Sequence, residues 1–152
     1  MSNGNGQSCA GWGYAVEGEP TAMLQAALRA VLRDAGAPEP LPGCNGEPCT
    51  WVRGVAECLR SGRCRAAVLF CADPGLACCL ANKVPGVRAA AVATVAQAVR
   101  ALARLGANLL VVELAGRTYF ECRQILRLCR AGAACPPEVA GVLQELDGHA
   151  HR

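Results

Sequence analysis

The sequence predicts an α/β fold: a doubly wound parallel sheet of about five strands in a three-layer, Rossmann-like α/β/α sandwich. Two observations lead there. Short, largely apolar runs at 66–71, 87–92 and 108–114 have strand length and the pattern of strands buried on both faces. Between them lie segments with helical periodicity, long enough to cross back over a sheet. Right-handed crossovers then place helices on both faces.

Each element follows from local signals. Trp12–Val16 reads as a first short strand. Residues 21–35 read as a helix: Leu24, Leu28, Val31 and Leu32 form its apolar stripe, Thr21 after Pro20 caps it, and Gly36 stops it. The stretch 37–48 is rich in Pro and Gly and supports only a short, irregular edge strand. Trp51, Val52, Val55 and Leu59 predict a helix over 50–60. Ala66–Cys71 is a buried strand, followed by a short helix at 74–82 and a second buried strand at 87–92. Val95, Val99 and Leu102 place an amphipathic helix at 94–105, and 108–114 is a third buried strand. Cys122, Ile125, Leu126 and Cys129 predict a helix over 118–130. A last helix at 138–146 uses Val139, Val142, Leu143 and Leu146 and is opened by Pro136–Pro137.

Composition narrows the function classes. The chain has 152 residues, 53% apolar and 18% charged, against about 25% charged in ordinary domains. A single domain over 12–147 is expected, between a flexible start (1–11) and a short tail (148–152). A net charge of +3 and only two each of Trp, Tyr and Phe argue against a nucleic-acid partner. The start carries no signal-peptide pattern, and no apolar stretch approaches the ~20 residues that span a bilayer, so a cytoplasmic protein without a membrane partner is expected. Eleven cysteines, an odd number with no C-x-x-C pair and with histidines only at 149 and 151, fit neither a disulfide framework nor a structural zinc site. Most read as small buried hydrophobes in a reducing compartment.

In a doubly wound sheet, ligands bind beyond the carboxyl ends of the strands. Cys71 ends a strand there, and the Ala72-Asp73-Pro74-Gly75 turn opens a helix whose dipole is expected to lower the thiol pKa. The segment from Val68 to Ala89 resembles the ribose-5-phosphate isomerase B and galactose-6-phosphate isomerase family. Cys71, Ala81-Asn82-Lys83 and Gly86-Val87-Arg88-Ala89 match the family run without a gap. Val55-Ala56-Glu57, Ser61-Gly62, Asn108-Leu109-Leu110 and Gly116-Arg117 extend the likeness over about 21–131.

The resemblance implies aldose–ketose isomerisation of a sugar phosphate through an enediolate, without metal or organic cofactor, by a homodimer. It implies Cys71 as the base, with Asp73, Gly75, Arg104, Asn108 and Arg117 around the substrate and its phosphate. Several departures change the chemistry. The family loop is Gly-Thr-Gly, whose N–H groups hold the enediolate; here Pro74 has no N–H and Asp73 adds a carboxylate. Ala77 stands where the other branch has its Glu base. The early Asp-His pair falls near Gly18-Glu19, the ring-opening His-Asn pair at Arg104-Leu105, and the C-terminal arginines around 136–138. Asp73-Pro74 also reads simply as an N-cap followed by Pro at the first helical position. The expectation is therefore a divergent sugar-phosphate isomerase with weakened or lost activity. Its alternative is a non-catalytic paralogue serving as a binding or assembly module. A third class, thiol redox or metal chemistry, rests on cysteine number alone.

Overall fold

A computed structural model describes residues 11–34 and 38–149. Expectations for 1–10, 35–37 and 150–152 lie outside the described residues. The elements in chain order are β1 (Trp12–Val16), α1 (Ala22–Leu32), β2 (Glu39–Pro40), α2 (Pro48–Arg60), β3 (Ala66–Cys71), α3 (Pro74–Ala81), β4 (Ala89–Ala91), α4 (Val95–Leu105), β5 (Leu109–Glu113), α5 (Tyr119–Ala131) and α6 (Pro137–His149). The sheet has five strands in the order β2-β1-β3-β5-β4, with every pair parallel. The doubly wound α/β expectation holds.

Period-two alternation sorts the core into two halves. On β3, Ala67, Leu69 and Cys71 face α2 and α3, while Ala66, Val68 and Phe70 face the layer of α1, α4 and α5. Leu109 and Val111 of β5 join the first half, Leu110 and Val112 the second. Thr21, Thr94 and Thr118 each accept a backbone N–H at a helix start, and Thr118 with Glu121 forms a reciprocal capping box.

Where boundaries differ from expectation, backbone hydrogen bonding explains the difference. β2 shrinks to two residues in a stretch where Pro38, Pro40 and Pro42 offer no donors. α2 starts at Pro48, earlier than expected, because proline at N1 forfeits no helical bond. β4 spans only three residues. At its start the Arg88 N–H donates to Asn108 Oδ1 at 2.7 Å and the Ala89 N–H to Asn82 Oδ1 at 2.8 Å, so side chains replace the ladder. Asn108 Nδ2 also donates to the Gly86 carbonyl, and Arg88 Nε to that of Gly106.

α6 runs to His149, past the expected helix end at 146, yet none of its residues is buried. Its Asp147 carboxylate accepts the Gly86 N–H at 3.0 Å. A cavity of about 310 Å³ lies beneath it, between Arg88, Leu105, Cys135, Leu143 and Asp147. Gly106, at φ 60°, packs where a Cβ would collide with the Cys135 backbone. Among the described residues no helix is long and apolar enough to cross a membrane.

Phe70 is 1% exposed and is among the largest side chains enclosed in the central strand. Phe70→Ala is expected to lower unfolding stability by about 3–5 kcal/mol, through lost transfer energy and a residual cavity; urea denaturation measures this.

Candidate active site

The strand order fixes where the site lies. The chain leaves β1 outward to β2, then returns across β1 to β3, so the crevice between the carboxyl ends of β1 and β3 is the topological switch point. The ladder from Trp12↔Ala66 to Val16↔Phe70 brings the next residue, Glu17, beside Cys71. Glu17 N–H donates to the Phe70 carbonyl at 2.8 Å. The Ala72 N–H donates to Glu17 Oε2 at 2.9 Å, so this donor meets the Glu17 side chain rather than the main-chain carbonyl a continued parallel ladder would offer.

Cys71 is 5% exposed, and its thiol is pushed up to about 12. Burial is the main cause and the Glu17 carboxylate the next; Cys78 and the Asp73 carboxylate add to the rise, and only the Asp73 backbone hydrogen bond opposes it. The expected lowering by the helix dipole is therefore corrected: removal from water beside a carboxylate outweighs it. A thiol with that pKa is ionised in about one molecule in 10⁵ at pH 7. Cys44, beside Glu17, and Cys78 are both pushed up to about 11, chiefly by burial.

The loop after Cys71 is a helix cap. Asp73 is the N-cap of α3, its Oδ1 accepting the Leu76 N–H at 3.1 Å, and Pro74 follows at N1. Gly75 lies exposed in the first turn, where an added Cβ would make only ordinary contact, 3.6 Å from Asp73 Oδ1. Arg117 stands on the same edge of the sheet but turns toward the loop after β4. It donates to the Ala93 carbonyl and lies 3.8 Å from Glu121, while its Nε is buried without a partner.

Two expected site residues are not brought to this edge. Asn108 precedes β5 at the opposite end of the sheet, 9% exposed, with its amide committed to Arg88 and Gly86. Arg104 sits in the last turn of α4, which starts at the Cys71 edge and runs to the other end. Both lie there for one reason: a helix antiparallel to the strands, and the residue that follows it, end at the amino edge of the sheet. The residue the sequence reading missed is Glu17. Its signal was its position as the first charged residue after a predicted strand at the switch point.

Cys44, Cys49, Cys58, Cys71, Cys78, Cys79, Cys122, Cys129 and Cys135 are free thiols, and among the described residues no group of three or more His, Cys, Asp or Glu is placed to hold a metal ion.

A family model described as Ribose/Galactose Isomerase matches residues 45–129. Among solved structures, a ribose 5-phosphate isomerase from Thermotoga maritima superposes with a TM-score of 0.72 at 15% identity, covering 91% of this chain and 98% of that one. Ribose-5-phosphate isomerase B from Clostridium thermocellum gives 0.71 at 19% identity, over 91% and 95%. The Mycoplasma genitalium enzyme, solved with bound ribulose-5-phosphate, gives 0.65 at 17%, over 93% and 97%. At these identities the likeness shows the fold. No curated protein sequence matches.

The raised thiols make stability depend on pH. An unfolded cysteine ionises near pH ~8.5, so folding favours the protonated form at Cys44, Cys71, Cys78 and Cys129, which are pushed up to about 11, 12, 11 and 12. Their contribution is complete below the unfolded pKa and is lost as pH rises toward the folded values. Urea denaturation is expected to show flat stability below pH ~8, then a decline reaching ~1.4 kcal/mol per pH unit for each such thiol.

Proposed function

The chain belongs to the ribose/galactose isomerase family, and from that premise we propose that it is a divergent sugar-phosphate isomerase, with Cys71 in the position of the base and turnover weakened or lost. The observation that carries this reading is the lip itself: a thiol at the end of the central strand, followed at once by a helix start, with Glu17 on the intervening N–H.

The reaction would begin with proton transfer from the carbon beside the sugar carbonyl to a Cys71 thiolate. The developing enediolate would then need donors from the loop, and the proton would return one carbon away. Each requirement is met poorly. The thiolate is scarce at neutral pH, because burial and Glu17 hold the proton on sulfur. Pro74 supplies no N–H, and losing one oxyanion donor typically costs ~3–4 kcal/mol in the transition state. Ala72 N–H is taken by Glu17 and Leu76 N–H by Asp73. Arg117, the cation nearest in sequence to the phosphate set implied by the resemblance, is engaged by Ala93 and Glu121.

A phosphorylated sugar is the ligand class we assign, on the family membership and on the ribulose-5-phosphate bound to the Mycoplasma genitalium enzyme. A homodimer in a reducing cytoplasm fits the same reading; Val142 and Leu146 of α6 are 55% and 58% exposed, an apolar face suited to a second copy. The second reading, a non-catalytic binding or assembly module, is favoured by the Glu17 carboxylate standing where negative charge would develop.

Incubation with ribose 5-phosphate in deuterated water tests both. The expected result is deuterium entering at carbon 2 at least ~10²-fold more slowly than with the Thermotoga maritima enzyme, the loss typical of one missing oxyanion donor, and no entry with Cys71→Ala. Exchange as fast as the relative's would overturn weakened turnover. No exchange with any of several aldose and ketose phosphates would overturn the isomerase reading and leave the module.

A further inference from the structure

The β1–β3 ladder does not need the Glu17 side chain. The strands are already paired through Val16 and Phe70, and the Glu17 N–H already donates to the Phe70 carbonyl. The next donor along β3 is the Ala72 N–H, the first backbone donor after Cys71. A glutamate side chain is long enough to turn back onto it, and Oε2 does so at 2.9 Å. The result is a carboxylate on a backbone amide beside a thiol, an arrangement that resembles a bound anion.

We propose that Glu17 is the specificity-determining residue of this lip: its carboxylate occupies the backbone donor beside Cys71, so the site excludes small planar anions such as an enediolate until Glu17 is displaced. The assignment rests on the reading of the Cys71 loop as the reacting edge. Other charges nearby do not perform this role. The Asp73 carboxylate is turned to the Leu76 N–H. Glu113, in register with Cys71 on β5, is exposed, and no hydrogen bond ties it to the loop. Cys44 and Cys78, which flank Glu17 and Cys71, are buried or half-buried thiols whose ionisation burial opposes. Glu17 alone holds the Ala72 donor, so one substitution is enough to release it.

The consequence is twofold. An anion at the lip must compete with a carboxylate attached to the same fold, which is effectively always present. The same carboxylate opposes ionisation of Cys71. Removing the side chain therefore frees a donor and eases formation of the thiolate at once, whereas neutralising it alone does only the second.

The test uses the full-length protein in three forms: wild type, Glu17→Gln and Glu17→Ala. Alkylation of Cys71 by iodoacetamide, a neutral reagent, is followed peptide by peptide by mass spectrometry from pH 7 to 10, with and without oxalate. Oxalate is a planar dianion with two adjacent oxygens, like an enediolate. In wild type, Cys71 is expected to react slowly and oxalate to have no effect. In both variants Cys71 should react about tenfold faster at pH 9, the change that one pKa unit produces; oxalate should slow that reaction in Glu17→Ala, whereas in Glu17→Gln the side-chain amide oxygen can still accept the Ala72 N–H and protection should be smaller. Circular dichroism confirms that each variant is folded, and Glu17→Ala serves if Glu17→Gln does not fold. The proposal is overturned if both variants match wild type in rate and in response to oxalate, or if oxalate already protects Cys71 in wild type. These readouts need no turnover. Gained protection without deuterium exchange sinks the isomerase reading and keeps Glu17; exchange in wild type without gained protection does the reverse.

Discussion

The parallel register of β1 on β3 is the constraint on which the rest of this molecule depends. Trp12 opposite Ala66 fixes Val16 opposite Phe70, and continuing that register on the β1 side brings Glu17 beside Cys71. Because side chains alternate across the sheet, that register also puts Ala15 and Cys71 in the same half of the core, under α2 and α3. A slip by one residue would exchange the faces of β1, moving Trp12 out of the half formed with α1 and α5. Fold and chemistry thus share one determinant: the pairing that buries Phe70 and Leu69 also brings a carboxylate against a thiol.

Under the proposed reading, that juxtaposition lets a site persist in outline while its turnover is weakened. Strand, turn and helix are retained because Asp73 and Pro74 make an effective helix start. The same two residues withdraw donors and add negative charge. What improves the helix degrades the anion site, since a helix N-terminus has a fixed set of N–H groups and an N-cap side chain takes its share. Asn108, a site residue by the resemblance, joins Asn82 and Arg88 in holding the start of the edge strand β4 with side-chain hydrogen bonds.

Much of this was legible in the sequence. The wholly apolar run Ala66–Cys71 and the threonines before three helices located the central strand and the caps without coordinates. Asp73-Pro74 was readable as a cap. Other features were hidden because they depend on neighbours distant in the chain. The rise in the Cys71 pKa comes first from burial under distant elements and next from Glu17, which the register supplies from 54 positions away. The retreat of Asn108 and Arg104 to the far edge depends on which end of the sheet each element finishes at, which residue types do not reveal. β4 was expected too long because two side-chain amides, from Asn82 and Asn108, replace main-chain partners at its start.

The weak attachment of α6 has a consequence for how the chain can change over time. A segment with no fully buried residue, tied to the sandwich through the Asp147 carboxylate on the Gly86 N–H, carries little of the free energy that keeps the sandwich folded. Substitutions and insertions in the last dozen residues can therefore accumulate with little penalty to the layers beneath, whereas the strands tolerate almost none.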